Sequence, residues 1–276
     1  MRPVASPLRP LAALALALAL FLAGCAGKPA TAPLTDESKA VFATFQAGQT
    51  SIPPAPAFSL SGSMSFSRGN RSGRLNYRLF GDYGRTVRLD LTTPVGGAYA
   101  ALFENSQEFI AYVPSRNAVY RHADTRQGAA RLGMPLPFSL RELAALASGR
   151  LGALVPDRYA AAKKTADGYQ YAFSGNARFT SLTLDFAGNP RHLVGVGVEP
   201  WRIDLEDDEA VPGMAAPVAR KLTLTTPGGA TLTVRVKTLQ ARPSPYPAAD
   251  LELPVPPNAV ERALDAGGDE PSLPEL

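Results

Sequence analysis

Cysteine is all but missing. The 276 residues hold one, Cys25, so no disulfide can form within the chain and no cysteine cluster can hold a metal. Histidine is nearly as scarce. His122 and His192 each stand beside an arginine, in "YRHAD" and "PRHL", and read as solvated strand residues rather than catalytic bases. No H-E-x-x-H, G-x-S-x-G, P-loop or G-x-G-x-x-G fingerprint occurs. The lone tryptophan, Trp201, reads first as a core anchor and second as a cavity liner. Acidic residues gather once, in "DLEDDEA" at 204–210, without the spaced oxygens and glycine of a calcium loop; the expectation is a solvated loop between strands. An excess of one charge is missing too. Without Arg2 and Arg9, 26 basic side chains face 24 acidic ones, which is no footprint for nucleic acid. The absences predict a chain that is not an enzyme, has no metal or cofactor, and does not bind nucleic acid.

What is present begins at the N-terminus. Arg2 and Arg9 precede an uncharged apolar run at 11–22, "LAALALALALFL". The run is short of the roughly 20 apolar residues that span a bilayer and reads as the core of a secretory signal. It ends in "LAGC", which resembles the lipobox of bacterial lipoproteins. That resemblance implies cleavage before Cys25 and lipidation of its sulfur; the alternative is an ordinary signal with a cysteine there by chance. Ala26 and Gly27 follow with no acidic residue, which leans toward sorting to the outer membrane. The body is then lipid-anchored and faces the periplasm.

Along the chain, residues 1–24 are assigned to a signal peptide and 25–56 to a lipidated cysteine, a flexible tether and a short helix. In "DESKAVFATFQAG", Thr35 or Asp36 can cap, Val41, Phe42 and Phe45 share a face, and Gly48 ends the helix. From Phe58 the apolar period falls to two, the mark of strands with one face buried. One interruption, "LGMPLPFSLRELAALASGRLG", is helical, with a capping box from Ser139 and Glu142 and a stop at Gly149. About ten or eleven antiparallel strands result over 57–242, mainly β with short helices. An unclosed antiparallel barrel plugged by helices satisfies the pattern, with a sandwich as the runner-up. Residues 243–276 form a Pro-rich tail, expected to be partly disordered, in which only "AVERALDA" looks weakly helical.

Several motifs over residues 36–155 resemble the LolB family of outer-membrane lipoproteins. Gly62 and Arg74 fit its strands, and Tyr77 stands near the family's aromatic. Pro94, Val95 and Gly96 fit its P-[LV]-G turn. Gly133, Pro135, Leu136 and Pro137 fit its G-x-P-[LI]-P stretch. The resemblance implies an unclosed LolA/LolB-like barrel with an apolar cavity for acyl chains, and a monomer that accepts lipoproteins from a LolA-like periplasmic carrier. The inward residues of that cavity would be Leu60, Met64, Leu75, Tyr77, Leu79, Val87, Leu89, Leu91, Phe109, Phe173, Leu182 and Leu184. The same residues would equally pack a dry core, since both demand an apolar inner face. The family's protruding turn carries a leucine needed for membrane placement; Val95 stands at that position. A second reading gives the fold to a non-catalytic scaffold of envelope assembly.

Overall fold

The structure, a computed structural model, describes residues 35–52, 55–134, 136–175, 177–196, 200–212 and 216–264. The lipobox with Cys25, the signal and most of the tether lie outside these residues, as do Pro135 and residues 265–276.

One sheet dominates. Its strands are β1 (Ala57–Arg68), β2 (Arg71–Asp82), β3 (Val87–Thr92), β4 (Ala98–Glu104), β5 (Phe109–Val113), β6 (Ala118–His122), β7 (Ala161–Lys164), β8 (Gly168–Ala172), β9 (Phe179–Asp185), β10 (Pro190–Gly195), β11 (Trp201–Glu209), β12 (Val218–Thr225), β13 (Thr231–Arg242) and β14 (Val260–Ala263). Their order is β14-β6-β5-β4-β3-β2-β1-β13-β12-β11-β10-β9-β8-β7. The first and last halves of the chain meet at β1, which pairs with both β2 and β13. The sheet does not close on itself; β14 and β7 are its edges. This is the unclosed, mainly β architecture that the alternation predicts.

Among the described residues fourteen strands form it, where the apolar pattern marks ten or eleven. The least legible are at the edges. β7 reads "AAKK" and has no apolar alternation. β14 reads "VERA" and is exposed at every position, so no burial leaves a period in it. The weak helix expected in "AVERALDA" is corrected by β14, which pairs parallel to β6. Backbone pairing at an open edge overrides the local helix propensity of Ala, Glu and Arg. The acidic stretch at 204–209 is likewise strand rather than loop. Each of its acids meets a base: Asp204 with His192 and Arg202, Glu206 with Lys221, Asp207 with Arg235, Asp208 with Arg191, Glu209 with Arg220.

The inner face is covered by three helices. α1 (Asp36–Thr50) is capped by Thr35, whose hydroxyl accepts from the Ser38 amide at 3.1 Å. Gly48 does not stop it; the helix runs on to Thr50, and Ser51 caps it. Its apolar face turns Val41, Phe42 and Phe45 onto the sheet. α2 (Thr125–Arg131) is capped by Asp124 and sits on Phe109, so closely that a Cβ on Gly128 would lie 2.3 Å from the ring. α3 (Leu140–Ala147) starts with the expected capping box of Ser139 and Glu142, and Gly149 takes φ +73° just beyond it.

The tail from 243 packs on the outer face of the sheet. A short helix, α4 (Ala248–Leu251), places Leu251 with Ala57, Phe80 and Tyr246 in a small second core. Buried Asp82 accepts from the Tyr246 amide at 2.9 Å, and the Arg242 guanidinium lies 4.0 Å over the Tyr246 ring. Tyr246→Ala is expected to cost about 3 kcal/mol, read in a thermal melt. A loss below about 0.5 kcal/mol would mean that the tail merely lies on the surface.

Candidate functional site

Two rows of side chains build the inner face. In the first, Leu60, Leu79, Leu89 and Leu102 stand opposite one another across β1 to β4. In the second, Tyr171, Leu182, Leu193, Ile203, Leu224, Leu232 and Phe66 do so from β8 round to β1. Strand neighbours of this kind touch because opposed Cβ atoms lie about 5 Å apart. Eleven of the twelve residues expected on the inner face are buried in one continuous core: Leu60, Met64, Leu75, Tyr77, Leu79, Val87, Leu89, Leu91, Phe109, Leu182 and Leu184. Phe173 is only half-buried and packs against its margin.

The helices fill this face with side chains. Phe42 meets Tyr159 and Tyr171 with ring centroids 4.7 and 4.9 Å apart. Phe138 and Phe179 flank Trp201, which is buried and donates from its indole nitrogen to the Val196 carbonyl at 3.1 Å. Trp201 is therefore the core anchor. Polar bonds stitch α1 in place. The Tyr171 hydroxyl donates to the Ser38 carbonyl at 2.7 Å, the Gly152 amide donates to Gln49, and Gln46 donates to the Asp157 carbonyl. None of the twelve residues lines a pocket of about 800 Å³ beside α2 and α3. That pocket is polar, with Arg126, Arg141, Arg150 and Arg178 around Asp124 and Glu142.

A buried carboxylate holds α3 to the sheet. Glu104, at the end of β4, is fully buried. It accepts from the Leu140 amide at 2.6 Å and from Arg141 at 2.9 Å. Burial pushes its carboxyl above the usual range, against the opposing pull of Arg141 and the amide. Nothing in "AYAALFE" marks this residue, because a single carboxylate at a strand end looks solvated. The two histidines differ: His122 is buried, which corrects the expectation of a solvated side chain, because β6 turns it beneath α2, and His192 keeps part of its ring in water. Buried His122 accepts from the Asp124 amide at 2.9 Å, beside the cap of α2. His192 pairs with Asp204 at 2.7 Å, and Arg202 binds the same carboxylate.

The β3–β4 hairpin carries the most exposed large apolar side chain among the described residues. Val95 is 95% exposed. The Gly96 amide donates to Thr93 at 2.9 Å and the Thr93 amide to Gly97 at 2.8 Å. Pro94 supplies the φ that the first turn position needs, and Gly96 takes φ +94°, which strains any residue with a Cβ. Val95 is left between them, pointing away from the body. The β12–β13 hairpin repeats this turn at "TPGGA": the Gly229 amide donates to Thr226, the Thr226 amide to Ala230, and Gly229 takes φ +75°. Its tip residue is Gly228, with no side chain. The strand registers put both turns at the same end of the sheet as the β1–β2 and β5–β6 turns. The four turns with their flanks, residues 66–74, 92–100, 112–119 and 224–232, hold Arg68, Arg71, Arg74 and Arg116 and no Asp or Glu; the β8–β9 and β10–β11 connections lie at the same end.

No protein-family model matches the chain, and no curated protein resembles it in sequence. Solved structures do resemble it. A LolA superfamily protein from Nitrosomonas europaea superposes with a TM-score of 0.53 at 9% identity, covering 78% of this chain and 97% of that one. An outer membrane lipoprotein-sorting protein domain from Vibrio parahaemolyticus gives 0.53 at 10% identity over the same shares. A DUF1329 family protein from Desulfovibrio piger gives 0.51 at 9% identity, covering 79% of this chain and all of that one. The chain has a LolA-type fold. At such identities the likeness carries the fold alone. Within the LolA-type fold it does not single out LolB. The apolar inner face under helices and the exposed apolar tip at Val95 are the features of this chain on which a functional reading is built.

Proposed function

We propose that the chain is a non-catalytic, lipid-anchored protein of the outer membrane, facing the periplasm, which takes acyl chains of lipoproteins against its inner face and helps insert them into the bilayer, as LolB does. The observation that carries this reading is Val95, 95% exposed at the tip of a tightly hydrogen-bonded turn, beyond a sheet whose inner face is mostly apolar. The arginines of the neighbouring turns, Arg68, Arg71, Arg74 and Arg116, support the same reading, because arginines near an apolar tip suit a surface of phosphate headgroups. A LolA-like periplasmic carrier is the expected donor of the cargo, and the chain works as a monomer.

An incoming acyl chain must displace side chains that already fill the inner face. That exchange is nearly balanced, since each CH₂ buried against the sheet recovers about 0.8 kcal/mol. The rings of Phe42 and Phe45 leave the same surface as the chain arrives, so α1 is the element that must yield. The test is uptake of a fluorescent fatty acid or a lipopeptide by the purified protein. Saturable uptake is expected, and faster uptake by Phe42→Ala, whose α1 is held less firmly. An absence of uptake in both proteins would end the acyl-binding role.

The scaffold reading draws less support. A partner adding a strand needs a free, flat edge. Here the edges are the four-residue strands β7 and β14, which carry Lys163, Lys164, Glu261 and Arg262. Short, charged edges resist such pairing.

A further inference from the structure

A second pocket, of about 620 Å³, lies around the middle of β1, away from the hairpin tip. Its lining includes Arg74, Tyr77, Asp207, Arg220, Arg235 and Lys237, so four cationic side chains share it with one carboxylate. The register explains how two of them come together. Tyr77 stands opposite Gly62, and Gly62 opposite Val236. Lys221 stands opposite Arg235, which puts Arg220 beside Val236. Between Tyr77 and Val236 the row has no side chain, because a Cβ on Gly62 would lie 1.8 Å from the Arg235 carbonyl oxygen.

Two polar atoms in this row are buried without a partner: the Tyr77 hydroxyl and Nη1 of Arg220. Tyr77 is only 4% exposed. Arg220 uses its Nε on Glu209 at 2.9 Å and leaves Nη1 unused. Burial pushes the Tyr77 hydroxyl up, and the positive charge of Arg220 opposes this, so the two groups act on each other. A buried hydroxyl and a buried guanidinium N–H without acceptors each destabilise the fold until something accepts from them. Both groups can donate. The chemistry that satisfies them together is one oxyanion.

We propose that this pocket binds an oxyanion, a carboxylate or a phosphate, with Tyr77 and Arg220 as its two donors. Such a group is present in a fatty carboxylate, in a lipid headgroup and in free phosphate. The site does not depend on the hairpin or on lipoprotein delivery.

The test is calorimetric titration and thermal melting of the full chain in nanodiscs of zwitterionic lipid. The probes are octanoate, octyl phosphate, inorganic phosphate and neutral octanol. Saturable binding of at least one anionic probe is expected, with a rise in melting temperature. Tyr77→Phe and Arg220→Gln should each weaken it by about tenfold or more. Without ligand, Tyr77→Phe should melt no lower than the parent, since it removes only an unpaired buried hydroxyl. A role confined to packing would not give that split. Binding of inorganic phosphate would assign a free anion; binding of the octyl compounds alone would assign a lipid head. Two results would overturn the proposal: no anionic probe binding, or both variants binding the anions like the parent; octanol reports the acyl-binding face alone, and Arg220→Gln should leave its binding unchanged. Val95→Glu should bind the probes unchanged, which separates this site from the delivery role.

Discussion

Val95→Glu is expected to lower the rate of lipoprotein transfer to liposomes at least about tenfold while leaving the melting temperature unchanged. The valine is held out by backbone bonds between Thr93, Gly96 and Gly97, none of which uses its side chain. A substitution at so exposed a place changes stability by no more than about 0.5 kcal/mol. Its contribution lies in what it touches. A valine taken from water into hydrocarbon gains about 1.5–3 kcal/mol, and each 1.4 kcal/mol is about a factor of ten. Glutamate loses that gain, adds a charge that hydrocarbon rejects, and offsets the arginines at the same end. Val95→Leu is the converse: one more CH₂, about 0.8 kcal/mol, should raise delivery severalfold. Wild-type transfer by Val95→Glu would remove the membrane-touching role from this hairpin. The matching turn at Pro227 and Gly228 is the internal control, since Gly228→Glu alters the same end of the sheet without removing an apolar tip.

The second large effect is on stability. Glu104→Ala should cost about 2–4 kcal/mol, below the upper range for buried pairs because Arg141 keeps a third of its side chain in water. The loss comes from stranding the Leu140 amide and the Arg141 guanidinium, and it frees the start of α3 from β4. Glu104→Gln keeps an acceptor for the amide and should cost about half as much. The pH dependence has a definite sign. Burial raises the folded carboxyl above its unfolded value, so the folded state holds this proton more tightly. The group therefore favours the folded state below the unfolded value, near 4.5, and that contribution is lost as pH rises through the folded value. Asp185 runs the other way. Burial would raise it, but Asn189 and Arg191 outweigh this and lower it, so its contribution is present above about 3.8 and lost as pH falls through the folded value. Melting curves of the parent and Glu104→Gln between pH 3 and 8 would separate the two. If the slope of stability against pH above 4.5 is the same in both, Glu104 is not the group responsible.

How far the chain could be read differs by element. Strands with one dry face show themselves, as in "GRLNYRLFG", because alternation is forced wherever water lies on one side only. β7 and β14 do not, because no dry face shapes them. The capping box at Ser139 is legible since both partners are three residues apart. Glu104 is not, because its partners, Leu140 and Arg141, lie 36 and 37 residues away. The turn at Val95 could be read as a turn from Pro94, Gly96 and Gly97. Which way its valine points could not.

By itself the sequence determined the period of the strands, the helical interruption at 132–152, the capping box of α3 and the turn chemistry at 93–97. These are local matters, settled by sterics and hydrogen bonds within a few residues. Tertiary structure decided the rest. It joined β1 to β13 across 164 to 185 residues, drew the tail onto Phe80 and into the sheet edge, and turned the inner face into a filled core. It also placed the Tyr77 hydroxyl and the Arg220 guanidinium in one row. Those outcomes depend on which surfaces meet when the apolar face is withdrawn from water, and no window of the chain contains both partners.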